Sequence, residues 1–244
     1  MTNPMTDGRP LVIQTEALAP EAAAWLGERC RLVRCAPDDP ELNVLLPAAS
    51  AQVVRTYTRV DGDQLSRCPG HRGGGRGGGG DDADDLDACN ARGVRVVHTP
   101  GANTQAVVEF VLSVLCDALR PRCFLDEPMP PLDAWQALRK ELVAARQMGD
   151  LTLGVIGLGR IGSRVAQVGR ALGMRVRYSD IEHKDPAVTG DLPERRALQG
   201  LCAEADVISV HIDARPDNRK ILSTDAFGRM MSDVVFINTS RGMV

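Results

Sequence analysis

Gly157, Gly159 and Gly162 stand at the spacing G-x-G-x-x-G, with Arg160 and Ile161 between the second and third glycines. Asp180 follows about 20 positions on. Residue types in that pattern can hold a dinucleotide. Gly157 permits a tight turn, Gly159 lets the backbone approach a pyrophosphate, and Gly162 lets a helix pack closely on the preceding strand. The phosphates would rest on backbone N–H groups at a helix N-terminus, where the macrodipole is positive. Asp180 can accept hydrogen bonds from the adenosine ribose hydroxyls and would repel a 2′-phosphate. NAD is therefore the expected cofactor rather than NADP, and the nearby His183 and Lys184 weaken that preference without reversing it.

The elements around the glycines are the ones such a site needs. Residues 151–156 are an apolar run rich in β-branched side chains, short enough for a buried parallel strand. Beyond the glycines the period becomes helical: Ile161, Val165, Val168 and Leu172 share one face, and Gly173 is placed to end the helix. A second strand over 174–178 leads to Asp180. Further on, strands are expected over 207–212 and 234–237, with helices over 192–203 and 224–230 between them.

Composition narrows the class. With 244 residues the chain can hold one large or two moderate domains. A net charge of −3 gives no reason to expect a nucleic-acid partner. The seven cysteines form no C-x-x-C pair, which suggests ordinary thiols in a reducing compartment. No metal site is expected. The N-terminus lacks a hydrophobic signal core and no apolar run reaches membrane-spanning length, so a cytoplasmic protein without membrane attachment is expected.

The N-terminal part alternates as well. Strands over 11–15, 31–35 and 51–56 are separated by helices over 20–29 and within 41–49, the signature of a small parallel sheet. The segment 70–80 then reads GHRGGGRGGGG, followed at once by an aspartate run. Composition alone makes this a flexible linker with a solvated acidic stretch. Structure is expected to resume with a helix through Leu86, Cys89 and Ala91, a stop at Gly93 and a strand over 94–99. Pro100 and Gly101 punctuate a boundary. Two helices should follow, one carrying Val107, Val111, Leu115 and Ala118 and one carrying Trp135, Leu138 and Leu142.

Taken in order, the motifs HTPGANTQAVVEF, LGVIGLGRIG, YSD, ADVISVH and DVVFINTSRG resemble the D-isomer-specific 2-hydroxyacid dehydrogenases. The resemblance is strong from Leu86 to Val244 and weaker before. It implies an α/β fold with two domains, a smaller flavodoxin-like substrate domain at 1–100 and a Rossmann-type doubly wound NAD-binding domain at 101–244. It implies hydride transfer between NAD and a 2-hydroxy or 2-keto acid, and a homodimer. Carried over by position, it places Arg160 and Ile161 on the pyrophosphate and Asp180 on the ribose. Val107, Ile212 and the carbonyl of Thr239 would lie along the adenosine and nicotinamide portions.

Arg241 matches the family's catalytic arginine. A 2-keto acid presents a carboxylate beside a carbonyl, and a planar fork of donors can bind one while polarising the other. Arg55 is a weaker candidate for substrate contact, and Gly78, Gly79 and Gly80 match the loop whose N–H groups hold the substrate carboxylate. In that alignment the glycine run falls on an aliphatic strand and this loop, so a weakened first domain and a loosened loop are expected. Arg76 is aligned with the loop. The family's proton-handling histidine and its glutamate lie downstream of the arginine motif, whereas the sequence ends at Val244, and a C-terminally shortened dehydrogenase is the expectation. An NAD-responsive, corepressor-like binding protein and an inert fragment are the alternatives. The first would show NAD-dependent association without oxidation, and the second no response to NADH.

Overall fold

Backbone pairing rather than side-chain identity decides the first sheet. The computed structural model describes residues 8–77, 85–120, 122, 124, 131–183 and 193–244, which fall into two compact units, Met1–Asn103 and Thr104–Val244.

In the first unit β1 (Leu11–Gln14) is buried along its whole length. α1 (Pro20–Arg29) follows, its proline at the helix start where a missing N–H costs nothing. β2 (Arg31–Arg34), α2 (Glu41–Leu45) and β3 (Ala49–Val54) come next. α3 (Gly62–Ser66) and α4 (Leu86–Ala91) are capped by Asp61 and Asp85, whose carboxylates accept from the N–H groups of Gln64 and Ala88. β4 (Gly73–Arg76) and β5 (Arg95–His98) complete a parallel sheet in the order β2-β1-β3-β4-β5. That is the flavodoxin-like order. Leu11, Ile13, Leu42, Leu46 and Cys68 form one core, and Val54, Val60, Leu65, Cys89 and Val94 another.

The glycine run overturns the linker reading where it is described. Gly73, Gly74 and Gly75 pair with Ala51, Gln52 and Val53 on one side and with Arg95, Val96 and Val97 on the other. A ladder uses only backbone N–H and C=O groups, so two aliphatic neighbouring strands can hold a glycine strand between them. Arg76 is likewise not a loop residue. It ends β4 and is buried, donating to the carbonyls of Arg55 and, at 2.9 Å, Thr58.

The second unit opens with α5 (Thr104–Leu119). Thr104, Val108, Val111 and Leu115 are its buried residues, while Val107 is half-buried and Ala118 exposed, so the inward stripe is turned slightly from the expected one. α6 (Leu132–Glu141) buries no residue. β6 (Thr152–Ile156), α7 (Arg160–Ala171) and β7 (Arg175–Ser179) form the expected βαβ unit, and Gly173 takes φ +80° after the helix. Glu194 and Arg195, read as helical, instead form a short strand, β8 (Glu194–Arg195), because Arg177 and Tyr178 offer it a free ladder edge. The helix there, α8 (Leu198–Glu204), starts later.

β9 (Val207–Val210), α9 (Thr224–Gly228) and β10 (Val235–Asn238) follow. The parallel order β10-β9-β6-β7-β8 is, in chain order, 3-2-1-4-5 read from the other edge, the arrangement of a doubly wound dinucleotide-binding sheet. Its switch point lies between β6 and β9, where a crevice opens at the carboxyl ends of the strands. Among the described residues no helix is long and apolar enough to cross a membrane, and Cys30, Cys35, Cys68, Cys116 and Cys202 carry free thiols.

Candidate functional site

The crevice at the switch point is a cleft of about 370 Å³. It is floored by Ile156, Gly157 and Gly159, with Asp180, Ile181 and Glu182 after β7 on one wall and His211, Ile212, Asp213 and Arg215 after β9 on the other. Each glycine has a separate steric reason. Gly157 sits at φ +88°, and a Cβ there would come within 2.7 Å of the His211 carbonyl oxygen. At Gly162 a Cβ would lie 1.9 Å from the Gly157 carbonyl oxygen, so the turn and the first turn of α7 fit only without a side chain. Gly159 differs, because its Cβ would meet nothing within 4 Å. The glycine that backbone sterics do not demand is the one facing open cleft, where a pyrophosphate would need close approach.

The first turn of α7 carries Arg160 and Ile161. By helix geometry their N–H groups lack intrahelical acceptors, and no acidic residue occupies the turn. The first bond inside the helix runs from the Ser163 N–H to the Gly159 carbonyl at 3.0 Å. Asp180 is held in place by the same loop. One carboxylate oxygen accepts the Leu158 N–H at 2.6 Å and the other accepts the Glu182 N–H at 2.8 Å. Each oxygen keeps acceptor capacity for a diol. The backbone of the glycine turn therefore orients the carboxylate expected at the ribose.

On the opposite wall His211 lies between two hydroxyls, Ser209 Oγ at 2.8 Å from Nε2 and Thr239 Oγ1 at 3.2 Å from Nδ1. Burial pushes its imidazolium pKa down to about 4, so the ring is neutral near pH 7. Thr239 is thereby fastened to the cleft side of β9. Beyond it, Asn238 accepts the Ser240 N–H at 2.9 Å and donates to the Arg241 carbonyl at 3.1 Å, folding the segment after β10 into a tight turn. Arg241 itself is exposed and donates to the Ser240 carbonyl at 3.0 Å.

The structure brings Gly157, Gly159, Asp180 and Ile212 to one cleft, with Arg160, Ile161 and Gly162 directly above it on α7. Thr239 reaches that cleft through His211, whereas Arg241 stands past the end of β10 and outside its lining. Val107 packs against the core beneath α5 rather than lining the cleft. In the other unit Arg55 follows β3; its guanidinium donates to the Ala17 carbonyl at 3.1 Å and its N–H to Glu16 at 2.9 Å. Gly78, Gly79 and Gly80 lie outside the described residues. The described residues gather no cluster of metal-ligating side chains.

Three features of the site had no readable signal in the sequence: the bond from Leu158 to Asp180, the Ser209–His211–Thr239 chain, and the pairing of Asp213 with Arg215. The Leu158–Asp180 and His211–Thr239 contacts join residues far apart in the chain that meet only once the strand ends are aligned, whereas the Asp213–Arg215 pair is local and depends on the conformation of the loop after β9.

Known proteins match this geometry. Residues 129–244 match the model of the D-isomer specific 2-hydroxyacid dehydrogenase, NAD binding domain. The chain is 34% identical over 239 residues to D-3-phosphoglycerate dehydrogenase of Mycobacterium tuberculosis, covering 96% of this chain and 44% of that protein. It is 29% identical to glyoxylate reductase of Aeropyrum pernix, covering 97% of this chain and 72% of that one. D-lactate dehydrogenase from Aquifex aeolicus, solved with NAD and lactic acid, superposes with a TM-score of 0.78 at 26% identity, over 96% of this chain and 69% of that one. The chain thus spans less than half the length of the phosphoglycerate dehydrogenase it matches. The glycine turn, the aspartate after the second strand, the strand order and these likenesses agree: residues 129–244 carry the NAD-binding domain of the D-isomer specific 2-hydroxyacid dehydrogenase family.

Proposed function

We propose that this chain acts as an NAD-dependent oxidoreductase on a 2-hydroxy or 2-keto acid. The observation that carries the reading is the cradle itself: Gly159 opens onto the cleft, and Asp180 is oriented from below by the Leu158 N–H. NADH, when bound, supplies the hydride. The chain's own residues bind and orient. The backbone at Gly159, Arg160 and Ile161 meets the pyrophosphate, Asp180 takes the ribose hydroxyls, and Ile212 gives an apolar side wall. Arg241, on an exposed turn at the carboxyl edge of the same sheet, is the residue we assign to the substrate carboxylate and carbonyl, with Arg55, Gly78, Gly79 and Gly80 as further substrate contacts. Val107 and the Thr239 carbonyl are assigned to the cofactor's flanks. Residues 1–100 would form the substrate domain and 101–244 the NAD-binding domain.

We further assign the protein to the cytoplasm and to a homodimer that uses neither nucleic acid nor membrane. The exposed Phe110 on α5 and the exposed Trp135 on α6, a helix that buries no residue, support self-association through the second unit.

Calorimetry with NADH tests the cofactor half of the proposal, and heat of binding is expected. Oxalate, a two-carbon mimic of a keto acid, should then bind the NADH complex, and Arg241→Gln should abolish that second binding while leaving the first. Addition of glyoxylate or hydroxypyruvate to the NADH complex should oxidise the cofactor. Folded protein that takes up no NADH would overturn the reading.

A further inference from the structure

The wall of the cleft facing Asp180 carries a cation whose orientation is fixed more firmly than a surface arginine requires. Arg215 Nε donates to Asp213 at 2.8 Å to one carboxylate oxygen and 3.0 Å to the other, and a terminal nitrogen joins the second oxygen, a fork-on-fork pair. The Arg215 N–H adds a bond to the same carboxylate at 3.2 Å. Asp213 is itself pinned by Asn218, which is buried and donates to its carboxylate at 2.8 Å and to its backbone carbonyl at 3.1 Å. Among the described residues the hydrogen bonds of the guanidinium, from Nε and one terminal nitrogen, go to Asp213. Arg215 is exposed and lines the cleft together with Ile181, Ile212 and Asp180.

We propose that Arg215 is a specificity-determining residue for the adenine of the cofactor, stacking its guanidinium plane on the base whose ribose Asp180 holds. The proposal rests on reading the cleft as the dinucleotide site. Two properties of this wall favour the base over a phosphate as its target. The charge of Arg215 is already balanced by Asp213, whose carboxyl is held below the usual carboxylate range chiefly by this arginine. Asp180 and Glu182 line the same cleft, so an added 2′-phosphate would meet two carboxylates before it met a free cation. A neutral π-face faces neither obstacle. Ile181, 67% exposed on the facing wall, offers an apolar surface for the other side of the ring. A stacked guanidinium is planar by nature, and a lysine at the same place would supply charge without a face to stack.

Equilibrium titrations of the full chain with NADH, ADP-ribose and reduced nicotinamide mononucleotide test this. Arg215→Ala should weaken NADH and ADP-ribose by about 3–30-fold and leave the mononucleotide, which has no adenine, unchanged. Arg215→Lys should be as weak as the alanine variant, and Asp213→Asn, which unlocks the guanidinium, should shift affinity in the same direction. If circular dichroism shows Arg215→Ala to be unfolded, Arg215→Gln takes its place. Full affinity in the lysine variant would mean that charge matters and the plane does not, which overturns the proposal. Equal losses for NADH and the mononucleotide, or an Arg215-dependent preference for NADPH over NADH, would overturn it as well. Wild-type protein that binds none of the three would instead refute the dinucleotide reading beneath it.

Discussion

Asp180 accepts a backbone N–H at each carboxylate oxygen, so its two jobs, closing the glycine turn and meeting a ribose, can be separated by substitution. Asp180→Asn keeps the size and one acceptor; it should weaken NADH by about 10–100-fold, as expected for loss of a charge-assisted bond, and narrow the gap between NADH and NADPH. Titration of both cofactors checks it, and an unchanged NADH affinity would count against the ribose role. His211 makes a second prediction, in pH. An unfolded histidine titrates near ~6.5, whereas burial takes folded His211 down to about 4. Above ~6.5 neither state binds the proton. Between ~6.5 and ~4 only the unfolded chain does, so folding stability falls with pH through that window and levels off below it, by on the order of 3 kcal/mol. His211→Asn should flatten this part of the stability profile measured by urea unfolding. Equal slopes in the two proteins would show that the ring does not titrate as its burial demands.

At the scale of elements, β4 invites the most direct test. A Cβ at Gly74 would meet nothing within 4 Å, and this residue lines a small apolar cavity with Val54, Val94, Val96 and the ring of His71. Both His71 ring nitrogens are buried without a hydrogen-bond partner among the described residues, a sign of a loosely filled site. Gly74→Ala should raise stability by about 0.5–1 kcal/mol from backbone entropy alone, read as a higher urea midpoint for the first unit. A lower midpoint would show that the strand needs its glycine. Gly162→Ala should do the opposite in the second unit, because the Gly157 carbonyl oxygen occupies the space the methyl would need.

These glycines also mark how far the sequence could be read. The strand, turn, helix and Asp180 of the second unit were legible because periodicity and spacing are local. β4 was legible only through its likeness to an aliphatic strand, since no residue in Gly73-Gly74-Gly75 carries a side chain to show a period. β8 was missed because two residues make a strand only when β7 provides the edge. On α5 the true stripe runs through Val108 rather than Val107, a rotation set by packing against α7 and the sheet.

The whole molecule has separate cores in its two units. Leu11, Ile13 and Leu46 and their neighbours fill the first, with Leu65 and Val94 beside them, whereas Leu153, Val155, Tyr178 and Val207 build the larger core of the second. The residues that line the cleft, from Ile156 to Ile221, belong to the second unit. A ligand that binds only folded protein stabilises by RT ln(1 + [L]/Kd), about 2.7 kcal/mol at 100 times Kd. That energy should appear where the ligand is held. Hydrogen exchange with saturating NADH should therefore slow in β6, β9 and the start of α7 while leaving β1, β3 and β4 at their original rates. The first unit, with three glycines in a central strand, should open at lower urea in both conditions. Protection that rose equally in β1 and β6 would mean the two units unfold as one, and would place the destabilising effect of the glycine strand on the cofactor site as well.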